Sequence, residues 1–168
     1  MLAKLGQYIW IQLTAVDDYW LTRFVLLRFL GIVYFFAFLS LLTQVLPLMG
    51  ENGLLPADNF LAAVREQFPT TLSTLGIEQG PSAAQLFLKL PTIFWFGISD
   101  GSMLFFAWFG FALAVLLLIG FANVPLLFLL WLIYLSFVNV AQRWLSYGWE
   151  MQLLETGFLA MFLVPLLD

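Results

Sequence analysis

Neither cysteine nor histidine occurs in the 168-residue chain. Disulfides, thiolate or imidazole metal ligation and a histidine general base are therefore excluded from what it does by itself. Charge is scarce too. Six basic and ten acidic residues give a net charge of −4, scattered over helix ends and loops, with no basic run of the kind that grips nucleic acid or an anionic lipid surface. With charged residues at 10%, the polar surface is too small to coat a soluble domain of this size.

What fills the chain instead is apolar. Hydrophobic residues make up 63%, the mean hydropathy is +1.00, and the 18% of aromatic residues is rich in Phe and Trp, which suits lipid-facing surfaces and interfacial belts. The class that follows is an all-α polytopic membrane protein, a single domain over 1–168. Four transmembrane helices are expected in a bundle, with an N-terminal interfacial helix and a helical extracytoplasmic cap.

In order, residues 1–18 carry Leu2, Leu5, Ile9, Leu13 and Val16 at helical spacing beside Lys4, Gln7 and Gln12. They read as an amphipathic helix on the membrane surface or packed on the bundle. They lack the compact apolar core of a cleavable signal, so the first span, 20–48, is expected to act as an uncleaved anchor. Lys4, Arg23 and Arg28 place three of the six basic residues at or before its start. The positive-inside rule then sets the N-terminus in the cytoplasm. Arg23 is expected to snorkel to the headgroups. Arg28, more than a turn deeper, either does the same or pairs with a buried carboxylate.

Residues 49–102 form the extracytoplasmic cap. It opens with the turn Asn52-Gly53-Leu54-Leu55-Pro56, in which Gly53 is free to take positive φ and Pro56 suits the start of a helix. A short helix over 58–68, a loop over 76–82 and another short helix from Pro91 follow. Ser99-Asp100-Gly101-Ser102 offers capping residues for the second span, 103–119. A tight return leads to the third span, 124–141, with Pro125 in its first turn and Asn139 and Gln142 at its outer end. The fourth is expected over 149–167.

That last span holds the most informative charges. An ionised carboxylate in hydrocarbon costs several kcal/mol, so one inside a membrane helix faces a partner, a cavity or a substrate path. Glu150 and Glu155 are candidates, but five residues turn them about 140° apart on a helix, so they cannot both point squarely at one site unless the helix starts late or is distorted. Glu155 is expected to point into the bundle. Glu150 is expected at the interface, favoured by the helix dipole and pairing with Arg143. The candidate polar cluster is thus Arg28, Asn139, Gln142, Arg143, Glu150 and Glu155, beside an aromatic belt of Trp144, Tyr147 and Trp149. No spacing points to a metal or to a cofactor.

Several segments together carry a resemblance. They are Tyr19-Trp20-Leu21-Thr22-Arg23-Phe24 through Arg28, residues 34–41, Gly50-Glu51-Asn52-Gly53-Leu54-Leu55-Pro56-Ala57, Pro91-Thr92-Ile93-Phe94-Trp95, Leu135-Ser136-Phe137-Val138-Asn139-Val140, and residues 149–160 from Trp149-Glu150-Met151-Gln152 to Gly157-Phe158-Leu159-Ala160. In this order the set resembles the N-terminal membrane region of the lipase maturation factor family, which is distantly similar to the membrane part of vitamin K-dependent carboxylase. The resemblance implies a membrane factor that helps secreted lipases fold and assemble, resident in the endoplasmic reticulum membrane in animals. Family members continue through further membrane helices into a soluble C-terminal domain, so this chain reads as the N-terminal part of a longer architecture or the partner of a separate domain. The resemblance brings no catalytic residue with it.

The expected function is non-enzymatic: a factor assisting maturation of secreted proteins, lipases by resemblance, in a bacterial inner membrane or, in a eukaryote, the endoplasmic reticulum. Its expected partners are membrane lipids and a secreted lipase client, with no nucleic acid. Two other readings stay open. One is an intramembrane enzyme acting on an amphiphilic substrate, with Glu155 or Glu150 as the acid/base group. The other is a small-molecule transporter, although no broken helix pair or inverted repeat is visible.

Overall fold

A computed structural model describes residues 19–67 and 83–166. The expected interfacial helix over 1–18, the loop over 76–82 and the last residues of the expected fourth span lie outside the described residues. Within them the chain is helical throughout, with no strand.

The first helix, α1, spans Trp20–Met49. Its thirty residues carry no glycine or proline beyond Gly31 and Pro47, and at 1.5 Å per residue they reach roughly 45 Å, more than a hydrocarbon core of about 30 Å. Two short helices follow, α2 over Ala57–Glu66 and α3 over Ala83–Lys89, then a 3-10 turn over Ile93–Phe96. Pro56 sits immediately before α2, with Asp58 in its first turn and Arg65 in its last, each matched to the helix dipole.

The next helix, α4, covers Asp100–Ile119 and starts on a reciprocal capping box. Ser99 Oγ accepts from the Ser102 amide at 3.2 Å and Ser102 Oγ accepts from the Ser99 amide at 2.9 Å. Asn123 caps α5, Val124–Val140, through the Leu126 amide at 3.0 Å, with Pro125 in the first turn. The last helix, α6, is only Gly148–Ala160, about 20 Å, and passes into a 3-10 turn over Met161–Leu163. Helices α1 and α4 are long and apolar enough to cross a membrane, and α5 is a shorter apolar helix of the same kind.

Packing closes these helices on one another: α1 lies against α4 and α6, and α5 against the same two. The closest approaches fall at glycines. A β-carbon on Gly110 of α4 would overlap the Phe38 ring, and one on Gly157 of α6 would overlap the Tyr34 hydroxyl. With no side chain there, both aromatic residues of α1 sink fully into the core. Tyr134 packs edge to face on both, 5.8 Å from Tyr34 and 5.6 Å from Phe38 between ring centroids.

Candidate functional site

Two of the sequence segments that stand far apart in the chain meet at the Met49 end of α1. Segment 91–95 lies on α5 and is pinned there by buried polar groups. The Ile93 amide donates to Ser136 Oγ at 3.0 Å, Thr92 Oγ1 donates to the Ser136 carbonyl at 3.3 Å, and Asn139 Nδ2 donates to the Pro91 carbonyl at 2.7 Å. Thr92 and Ser136 are fully buried. Buried side chains so bonded fix register as well as stability, because any slip strands their partners. Asn139 is therefore a tether for the cap. Sequence reasoning passed over Thr92 and Ser136, although both lie in the quoted segments.

The turn after α1 is fastened in a similar way. Asp100 Oδ1, at the start of α4, accepts from the Glu51 amide at 2.8 Å, and the chain folds back so that the Leu54 and Leu55 amides donate to the Pro47 and Leu48 carbonyls at 3.1 and 2.9 Å. Gly53 serves this turn differently from expectation. Its φ is not positive; a β-carbon there would lie 2.9 Å from the Leu46 carbonyl oxygen and the Gly50 nitrogen. Close approach of backbone to backbone requires it. Asn52 is exposed at the tip and Pro56 is half-buried.

The two carboxylates exchange the places expected of them. Glu150 is 1% exposed and belongs to the inward stripe of α6 with Leu153, Leu154, Gly157 and Ala160, whereas Glu155 is exposed on the far side. The 140° between them decides this: only one phase can coincide with the stripe at three- and four-residue spacing. Arg143 is exposed and forms no pair with Glu150. Glu150 Oε2 has no hydrogen-bond partner, and neither do the hydroxyls of Tyr34 and Tyr134 or the buried indole nitrogen of Trp144. Tyr34 and Tyr134 lie edge to face 5.8 Å apart between ring centroids, and both are fully buried, as is Glu150. A buried acid and two phenols without hydrogen-bond partners thus belong to the core that α1, α5 and α6 share.

The remaining candidates lie apart from that centre. Arg28 pairs with no carboxylate; its guanidinium donates to the Leu117 carbonyl at 2.5 Å and the Ile119 carbonyl at 3.3 Å, closing the C-terminus of α4 at the opposite end of the molecule. Gln142 is half-buried just past α5 with φ 53, and it is the one non-glycine residue among those described with positive φ. Outside the core, α1 and α6 border a groove of about 480 Å³ lined by Phe29, Leu30, Val33, Trp149, Gln152 and Thr156. Glu155 does not line it. Among the described residues no three acidic side chains converge as a metal site would require.

Comparison with known proteins now bears on these pieces. The sequence profile of the lipase maturation factor transmembrane domain matches residues 21–168. Lipase maturation factor 1 of Mus musculus is 43% identical over 154 residues, which cover 88% of this chain and 25% of the relative. Lipase maturation factor 1 of Homo sapiens is 41% identical over 152 residues with the same coverage, and lipase maturation factor 2 of Rattus norvegicus is 36% identical over 141 residues, covering 80% of this chain and 18% of that protein. The chain therefore spans about a quarter of the length of the first of these relatives. No solved structure matches. All the segments that meet at α5 and α6 fall inside the region matched by the transmembrane-domain profile, the long apolar helices agree with an integral membrane chain, and the chain belongs to the lipase maturation factor family.

Proposed function

We propose that this chain assists the maturation of a secreted lipase from within the membrane. The observation that carries the reading is the match of nearly the whole chain to proteins named lipase maturation factor 1 and 2. In this reading α1, α4, α5 and α6 with its following turn are four spans of a bacterial inner membrane protein whose N-terminus is cytoplasmic. The described parts of 49–102 then cover its outer end, and a soluble domain, attached or separate, adds to client recognition.

Around that cap Leu54, Leu88 and Phe96 stand exposed, the last two at 85% and 84%. Apolar side chains held clear of the bundle suit a surface that shields the unassembled face of a lipase. Ser136, Thr92 and Asn139 hold the cap at a fixed height above the core. Photo-crosslinkers placed at Leu88 or Phe96 in the intact protein, with Phe105 of α4 as the control, test this with a co-expressed secreted lipase. Adducts from the cap positions and none from Phe105 are expected. Equal labelling from all three, or none, would sink the proposal.

A further inference from the structure

At the end of the molecule opposite the cap, a pocket of about 160 Å³ is lined by Trp20, Arg23, Arg28, Gly120, Ala122 and Pro165. It lies at the turn between α4 and α5. Non-helical backbone is not tolerated facing lipid hydrocarbon, so this turn marks the membrane surface, and the exposed Trp20 sits at the level indoles prefer. Pro165 closes one side, its carbonyl accepting from the Val124 amide at 3.1 Å.

Two guanidiniums enter this pocket, and among the described residues no acid lines it. Arg28 is fixed: it caps the α4 carbonyls and lies 4.5 Å from the Phe24 ring centroid. Gly120 makes room for it, with φ 136 and a position where a β-carbon would stand 2.8 Å from Nη2. Two of its five N–H donors meet carbonyls, which leaves three and a full positive charge. Arg23, one and a half turns earlier and half-buried, makes no hydrogen bond or ion pair with the described residues. A rigid cation and a second one unpaired among the described residues, at a membrane surface with a small cavity between them, form a receptor for a tetrahedral oxyanion.

We propose that this pocket binds a phosphate group through Arg23 and Arg28. An anionic phospholipid headgroup and free inorganic phosphate share that chemistry, and the position at the membrane surface selects the lipid. Native mass spectrometry of the intact protein in detergent, with phosphatidylglycerol and phosphatidylcholine at equal concentration, reads this directly. Phosphatidylcholine carries its own neutralising cation and serves as the reference. One retained phosphatidylglycerol, favoured about tenfold, is expected. Arg23→Gln should abolish the preference and Arg23→Lys should keep part of it, with Tm little changed in both because Arg23 makes no hydrogen bond or ion pair with the described residues. Loss of the bound lipid in millimolar inorganic phosphate, with phosphate itself retained, would assign the same site to the free ion. Equal binding of both lipids without phosphate binding, or a preference that survives Arg23→Gln, overturns the proposal.

Discussion

A carboxylate oxygen without a hydrogen-bond partner in an apolar interior costs about 1–3 kcal/mol, and Glu150 Oε2 is such an atom. Glu150→Met, of similar volume, should therefore raise stability by about that amount. Thermal unfolding in detergent checks it, and a fall in Tm would mean the acid has a partner. The same change is expected to lower maturation of a co-expressed lipase, since a costly buried acid is retained for its use. Glu155→Gln, on the exposed face, should leave Tm unaltered. Sequence position alone favoured Glu155 because it lies deeper in the apolar run; helical phase, with Glu150, Leu153, Leu154 and Gly157 on one stripe, was equally readable and decides the matter. Gln142 is a second case. Its φ of 53 is left-handed, so Gln142→Gly should stabilise by up to about 1 kcal/mol and Gln142→Val should destabilise, by the same assay. Nothing in the local sequence announces that conformation, which arises where α5 must stop before α6 turns back.

Between elements, the glycines of close approach carry the packing. Gly157→Ala should cost about 1–3 kcal/mol through overlap with the Tyr34 hydroxyl, whereas Gly148→Ala, open on all sides, should cost nothing. Tyr34→Phe removes the obstructing oxygen and should recover part of the loss, a coupling that a double-mutant cycle in thermal unfolding measures. The docking of segment 91–95 on α5 is the other inter-element device. Asn139→Leu strands the half-buried Pro91 carbonyl and should destabilise by about 1 kcal/mol. Limited proteolysis should then cut near Gly97 before the helices are touched, while equal resistance of the variant would mean the tether is idle. The helices themselves were legible as apolar runs, with capping residues at 99–102 before one and Pro125 in the first turn of the next. Their contacts were not, because Ser136 and Asn139 read as ordinary polar residues until the segment that meets them is placed.

At the scale of the molecule, the two ends have different chemistry. Among the described residues the end bearing Arg23 and Arg28 is basic, with Arg28 tied to the carbonyls of α4, whereas the other carries a cap with exposed Leu54, Leu88 and Phe96. The membrane class followed from composition, since 10% charged residues leave no other solvent for the surface. The extent of the last helix did not. An apolar run continues beyond Ala160, but α6 stops there and Met161–Leu163 tightens into a 3-10 turn before Pro165. The cap is the part proposed to meet a client, and the most direct measurement is the specific activity of a secreted lipase, normalised to its secreted mass. It compares cells expressing the native chain, a Leu88→Asp/Phe96→Asp variant present at equal membrane level, and cells lacking the protein. Specific activity should be high with the native chain and fall in the variant to the level of cells without it. Full activity in cells that lack the protein would contradict the maturation role, and full activity with the variant would remove the cap from it.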